Sequence, residues 1–303
     1  MPVRTIRTYW VFYLMLLPAS VVLLINNYLP MFGIIIAFKN INLTDGILGS
    51  PWVGLDNFTY LFKTNDAWII TRNTLLYNAL FIVLNIVIGV SFAIMLNELR
   101  NRLLSKFFQS TMFLPYFLSA IVTSYLVFGY LGTEHGFINN TLLPLIGMKP
   151  ISWYSEPQYW PYILSFVHTW KTIGYSTVMY LAVIIGIDNE YYEAATLDGA
   201  SKWKQMIHIT LPSLVPIIVI LALLAIGRIF YTDFGLFFQV PLNSGSLFST
   251  TNVIDTYVYR TFITLGDIGM STAAGLYQSL VGFIMVFFSN YIVRKINKEN
   301  ALF

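Results

Sequence analysis

Apolar residues in this chain come in long, almost unbroken runs, separated by shorter polar stretches rich in turn residues. A helix needs about 20 apolar residues to cross a bilayer. The alternation therefore predicts an all-α membrane protein with six transmembrane helices. The spans fall at approximately residues 10–32, 73–96, 111–131, 161–187, 212–234 and 268–293, in one transmembrane domain covering residues 1–303. The first apolar run reaches from Tyr9 to Phe38 and contains Pro18, Asn26-Asn27 and Pro30, so part of it extends beyond the membrane. It exceeds the 7–15 residues of a signal-peptide core and no A-x-A-like site follows, so it reads as a retained span.

One polar stretch is patterned more tightly than the rest. From Glu190 to Pro216 the chain reads as helix, turn, helix, between spans four and five (residues 188–211). Glu193, Ala194, Ala195 and Leu197 favour a short helix. Asp198-Gly199 is a turn signal, with Gly199 free to take a positive φ. Asp198 can stop the first helix and cap the second. Trp203, Met206, Ile207 and Thr210 recur at helical spacing, and Pro212 suits the first turn of a new helix. Such a hairpin can be a knob offered to a partner or only an ordered connection.

The fixed positions of this stretch resemble the EAA loop of binding-protein-dependent ABC importer permeases. Glu193-Ala194-Ala195, Asp198-Gly199-Ala200, Ile209, Leu211-Pro212 and Pro216 all stand at the family's spacing, with Met206 where an aromatic is usual. Met is apolar and adaptable, so the packing role survives. The resemblance implies a type I importer permease whose hairpin is a cytoplasmic coupling helix docking on an ATPase, with Glu193, Ala194, Ala195, Asp198, Gly199, Ala200, Trp203 and Met206 as the coupling residues. Val53-Gly54-Leu55-Asp56-Asn57-Phe58 looks like the V-G-L-x-N-F of maltose-type sugar permeases. Val253 to Arg260, Ala274-Gly275-Leu276, Trp170-Lys171 and Ile187-Asp188 resemble the branch handling oligosaccharides and polysaccharide fragments. That branch implies a carbohydrate solute, a second similar permease subunit (a heterodimer), two ATPase subunits and an extracytoplasmic solute-binding lipoprotein. ATP and magnesium would sit on the partner ATPase, with no cofactor on this chain.

Charge orients the chain. Arg4, Arg7, Arg100, Arg102, Lys106, Lys202, Lys204, Arg294, Lys295 and Lys298 fall on the side of the termini and the hairpin. Lys39, Lys63, Arg72, Lys149 and Arg260 fall opposite. The excess puts both termini and the hairpin in the cytoplasm, in a plasma or inner membrane by the prokaryotic resemblance. Only 10% of residues are charged, against about 25% in soluble domains. The net charge of +3 is an orientation signal, with no nucleic-acid footprint. With no cysteine there is no disulfide and no thiolate metal site, and no metal site is expected.

Ionisable groups at membrane depth usually mark function or an ion pair. His168, Lys171 and Tyr175 share a face of span four; Arg228 lies about midway along span five, with Asp233 near its end. These five could line a solute path, where Arg or Lys would suit an acidic sugar. They could equally pair as Lys171–Asp233 or Arg228–Asp233. Trp153, Tyr154, Trp160, Trp170 and Tyr231 could stack on sugar rings or form an interfacial belt. Ser271, Gly275, Ser279 and Gly282 on span six could meet a second subunit or pack internally. No P-loop, H-E-x-x-H or G-x-S-x-G occurs, so the energy must come from another chain or a gradient. The chain is therefore not expected to be an enzyme. A gradient-driven secondary transporter using His168, Lys171 and Asp233 is the alternative reading, and a membrane enzyme or scaffold would need a catalytic constellation that is missing.

Overall fold

The computed structural model describes residues 2–296, and Lys298 of the charge set expected on the cytoplasmic side lies outside them. In chain order the main helices are α1 (Pro2–Leu23), α2 (Asp56–Lys63), α3 (Asn65–Asn97), α4 (Arg102–Phe113), α5 (Ala120–Leu131), α6 (Trp160–Ile185), α7 (Asn189–Leu197), α8 (Lys202–Gly227), α9 (Phe234–Gln239), α10 (Ile254–Ile263) and α11 (Ile268–Ile296). The only extended pairing among the described residues is an isolated bridge between Lys39 and Trp52. Tyr9–Phe38, Asn65–Asn97, Lys202–Gly227 and Ile268–Lys295 are each long and apolar enough to cross a membrane. Two bent pairs, Arg102–Phe117 with Ala120–Leu131 and Pro157–Ile185 with Asn189–Leu197, bring the number to as many as six.

The helices depart from the expected spans in three places. Residues 102–110, expected as loop, are helical, because the Asn101 side chain accepts from the N–H groups of Leu103 (2.9 Å) and Leu104 (3.2 Å) and starts α4 there. The third hydrophobic run then turns by 100° between Phe117 and Ala120. Pro115 sits in a tight turn before that corner, and Ser119 caps α5 by accepting from the Val122 N–H. The helix that carries span five starts before Pro212. It continues from Lys202 through a wider turn at Met206–Thr210, where the Leu211 N–H reaches back to the Met206 carbonyl. This looser register precedes Pro212, which cannot donate to the ladder, so the helix passes through the proline.

The chain divides into two compact units. One comprises the residues up to Thr64 with Val258–Tyr277. The loop that follows the first apolar run is organised by Asn57, whose amide donates to the carbonyls of Ala37 (2.9 Å) and Lys39 (3.0 Å). Gly54 makes the preceding turn at φ +64. Lys39 is only 3% exposed, and its ammonium donates to the carbonyls of Ile47 and Leu48 over the ring of Trp52. The V-G-L-x-N-F signature is thus a device for ending the first span.

The other unit, Asn65–Tyr257 with Gln278 onward, is built on α3 packed along α6. The two approach closely at Gly89, where an added Cβ would lie 3.1 Å from Ser176 and from the Tyr180 ring. Gly174 on α6 faces the backbone of α4 so closely that a Cβ would collide with the Met112 carbonyl. Two apolar cores follow: Tyr77, Phe81, Trp160, Leu164 and Phe237 with their neighbours, and Val90, Ala93, Tyr180, Ile184 and Leu214 with theirs.

Candidate functional site

Two features of the larger unit carry chemistry, a helical hairpin and a polar cavity.

The hairpin is α7, a turn, and the start of α8. Asp188 caps α7 by accepting from the Glu190 N–H at 3.0 Å. The helix ends in a paired hydrogen-bond motif centred on Gly199, which adopts φ +78. The Gly199 N–H donates to the Thr196 carbonyl at 3.0 Å and the Ala200 N–H to the Ala195 carbonyl at 2.8 Å. This is a Schellman ending, with the left-handed residue one past the C-cap. It explains why Ala195, Asp198, Gly199 and Ala200 belong together: the last alanine of E-A-A accepts from the alanine of D-G-A. Asp198 does stop α7, but Ser201 caps α8, accepting from the Lys204 N–H. The expected cap by Asp198 is therefore replaced by a serine three residues on, because the Schellman turn carries the chain past Asp198.

The inner face of the hairpin is polar. Buried Gln205 donates to the Thr196 hydroxyl at 2.8 Å, and the hydroxyls of Tyr192 and Thr210 meet at 2.9 Å. The expected stripe divides: Trp203, 67% exposed, and Ile207 face outward while Thr210 is buried; Leu197 of α7 is 89% exposed. Glu193, Ala194, Asp198 and Gly199 are exposed as well, Met206 half-buried. Asn189, Tyr192, Glu193, Thr196, Leu197, Lys202 and Gln205 line a surface groove of about 470 Å³.

The cavity, about 270 Å³, lies among α3, α6, the end of α8 and the segment after it. His168, Tyr175 and Arg228 line it, joined by Asn78, Asn85, Ser176, Tyr180 and Tyr231. His168 stacks flat on Phe81, with centroids 3.7 Å apart, and its Nε2 lies 3.2 Å from the Asn85 amide. Thr172 donates to the Asn85 carbonyl oxygen at 2.9 Å, which fixes that amide. Tyr175 stacks on Tyr116 at 5.3 Å and is 44% exposed. The Tyr231 and Ser279 hydroxyls are 3.1 Å apart. Arg228 is exposed, and its guanidinium makes no hydrogen bond or ion pair among the described residues. Together these side chains offer hydroxyls, amides, aromatic faces and one unpaired guanidinium.

Several expectations need correction. Arg228 is not midway along a helix. It is the C-cap of α8, because the helix ends at Gly227 and the chain runs through turns to Asp233. Asp233 is not in the helix of span five; its carboxylate accepts from the Leu236 N–H at 3.1 Å and caps α9. Neither Lys171 nor Arg228 pairs with Asp233 among the described residues, and neither Lys171 nor Asp233 lines the cavity. Trp160 is fully buried, its indole N–H donating to the Trp153 carbonyl. Trp153 donates to Asn139, and the Tyr154 ring packs edge-on against Trp160. Trp160 is a core residue, partly buried Tyr154 packs against that core and Trp153 is half-buried; burial raises the Tyr154 phenol above its ordinary range. Asn78, Asn85 and Ser176 escaped the sequence reading, since single small polar residues in apolar runs give no period of their own. Gly275 has open space where a Cβ would be, and Gly282 lies near the Tyr231 ring.

Comparison with known proteins gives a consistent result. The family described as "Binding-protein-dependent transport system inner membrane component" matches residues 85–298. Protein LplB of Bacillus subtilis is 36% identical over 294 residues, covering 97% of this chain and 91% of that protein. The polygalacturonan/rhamnogalacturonan transport system permease protein YteP of the same organism is 36% identical over 288 residues, covering 95% and 88%. Among solved structures, a bacterial ABC transporter involved in the import of the acidic polysaccharide alginate has a chain with TM-score 0.88 at 31% identity, covering 97% of this chain and 98% of that one.

Proposed function

The chain belongs to the family of binding-protein-dependent transport system inner membrane components, and from that premise we propose that it is the permease subunit of an ATP-driven importer for acidic oligosaccharides. The family is one of transport permeases, multi-pass in the cytoplasmic membrane. The observation that carries the substrate class is the cavity, where an unpaired Arg228 guanidinium stands among hydroxyl, amide and aromatic groups. A guanidinium binds a carboxylate through paired charge-assisted hydrogen bonds. Asn78, Asn85, Ser176 and Tyr231 suit sugar hydroxyls, and Tyr175 offers a ring face. Two similar proteins, described as handling polygalacturonan/rhamnogalacturonan and alginate, support an acidic glycan.

In this reading a second, homologous permease supplies the rest of the cavity wall, forming a heterodimer. Two ATPase subunits bind ATP and magnesium. An extracytoplasmic lipoprotein delivers the solute; a solved relative is in complex with an alginate pentasaccharide-bound periplasmic protein. The termini and hairpin face the cytoplasm, as the Lys and Arg excess directs. Glu193, Ala194, Ala195, Asp198, Gly199, Ala200, Trp203 and Met206 form the coupling surface, and exposed Leu197 joins them. ATPase closure pulls the hairpin, and because α8 runs from Lys202 to Gly227 without restarting, the pull reaches Arg228 along one rod. Each state opens the cavity to one side only. A proton-relay transporter is not favoured, since the family is one of binding-protein-dependent permeases and the similar solved chain is part of an ABC transporter.

The test is uptake by proteoliposomes containing the complex that co-purifies with this chain. ATP-dependent uptake of uronate oligosaccharides, stimulated by the binding protein and exceeding that of neutral glycans, is expected. Uptake driven by a proton gradient without ATP would overturn the reading.

A further inference from the structure

The segment between α8 and α9 is backbone without helix, at the end of a span. Irregular backbone at membrane depth persists only where its polar groups find partners in protein or line a cavity. Here side chains from three elements supply those partners. Asn78 of α3 donates to the carbonyls of Ile229 (2.7 Å) and Tyr231 (3.2 Å). Gln278 of α11 donates to the Phe230 carbonyl. Asp255 of α10 accepts from both the Thr232 N–H (2.7 Å) and the Thr232 hydroxyl (2.6 Å) through one oxygen, and from Gln278 through the other (3.1 Å). Ile229 and Phe230 are buried, whereas Arg228 and Tyr231 are exposed and line the cavity. The polar clamp therefore decides which side chains of this short segment face the cavity.

We propose that Asp255 is a positioning residue for transport, holding Thr232 and Gln278 so that the segment presents Arg228 and Tyr231 to the solute. Asp255 does not line the cavity itself, and it is the only carboxylate among the described residues that bonds this segment's backbone from a separate element. Charge matters to its role. An amide in its place keeps one acceptor but turns an N–H₂ toward donors, so either Thr232 or Gln278 loses its partner. The released segment then lets the guanidinium leave the position that selects an acidic ring. This inference rests on the cavity being the path of an acidic glycan.

The experiment measures uronate and neutral oligosaccharide uptake by the reconstituted complex for four forms: wild type, Arg228→Gln, Asp255→Asn and the double variant. Arg228→Gln is expected to lower the uronate-to-neutral ratio about tenfold, the equivalent of one charge-assisted hydrogen bond. Asp255→Asn is expected to lower it by a similar factor, and the double variant to be no worse than Arg228→Gln alone, because both act through one guanidinium. If Arg228→Gln transports as wild type, the glycan-path reading falls. If Arg228→Gln is impaired but Asp255→Asn keeps the wild-type ratio, or the two losses multiply, the positioning role falls and the path stands. Should Asp255→Asn fail to assemble, Thr232→Val and Thr232→Ser replace it. The serine keeps the hydroxyl bond and should retain selectivity that the valine loses; equal behaviour of the two would overturn the proposal.

Discussion

Gly199 allows the proposed coupling hairpin to be perturbed through its backbone alone. Its φ of +78 is a conformation that L side chains rarely adopt, and an added Cβ would meet nothing within 4 Å. A substitution there changes torsional preference without a steric clash. Alanine pays roughly 1–2 kcal/mol for the left-handed conformation. Asparagine pays less, because its short polar side chain tolerates that region. Proline cannot adopt it at all and lacks the N–H that reaches the Thr196 carbonyl. Both Schellman hydrogen bonds then go, about 2 kcal/mol together, a factor of roughly 30 in the local equilibrium. Proline also disfavours the helical conformation of the residue before it, here Asp198 at φ −75 and ψ 1. The assay is glycan uptake per ATP hydrolysed by the reconstituted complex, with variant levels matched in the membrane. Coupling should fall in the order Gly199, Gly199→Asn, Gly199→Ala, Gly199→Pro, with only the proline losing most of it. A proline variant that couples as wild type, or an asparagine variant worse than alanine, would refute the reasoning.

Other positions give independent checks. Gln205→Leu strips the Thr196 hydroxyl of its donor inside the hairpin, costing about 1 kcal/mol; the uptake-to-hydrolysis ratio should drop while the amount inserted stays the same. Glu193→Lys reverses an exposed charge on the proposed coupling surface and should uncouple hydrolysis from uptake, which the same ratio reads. Gly174→Ala drives a Cβ into the backbone at Met112 and should lower the melting temperature in detergent by an overpacking cost of about 1–3 kcal/mol. Gly129→Ala, with nothing within 4 Å of the new Cβ, should leave that temperature unchanged or higher. Asn57→Leu leaves the Ala37 and Lys39 carbonyls without their donor, about 2 kcal/mol in all, and should speed protease cleavage of the outer loop in right-side-out vesicles.

The long apolar helices were legible because hydropathy integrates over many residues, so one odd side chain does not hide a span. The breaks were not. Arg228 to Asp233 sits within a run that is largely apolar, and what ends the helix there is hydrogen bonding from Asn78, Asp255 and Gln278, partners between 23 and 153 residues away in sequence. The corner after Phe117 carried a local sign in Pro115, yet its 100° bend depends on Ser119 capping the next helix. In the hairpin, the Asp198-Gly199 turn could be read from residue type alone, since only its backbone conformation mattered. The burial of Gln205 and exposure of Trp203 could not, because the hairpin closes on itself through polar contacts that reverse the usual assignment of faces. His168, Tyr175 and Arg228 stood out as polar groups in spans, whereas Asn78 and Asn85 acquired meaning only once α3 lay against α6 and the segment after α8.

The central claim, that the hairpin is the cytoplasmic contact with an ATPase, can be tested with one engineered thiol. The chain has no cysteine, so Leu197→Cys, at a position 89% exposed, gives a single reactive site. Membranes carrying it, labelled at that thiol with a maleimide photo-cross-linker and irradiated, should yield an adduct that mass spectrometry identifies as this chain joined to an ATPase, with a yield that changes when ATP is added. A thiol at the outer-loop position, Leu48→Cys, should give no such adduct and should react with an impermeant maleimide from outside intact cells. Labelling of Leu197→Cys from outside, or the absence of any ATPase adduct in membranes that transport normally, would contradict the account.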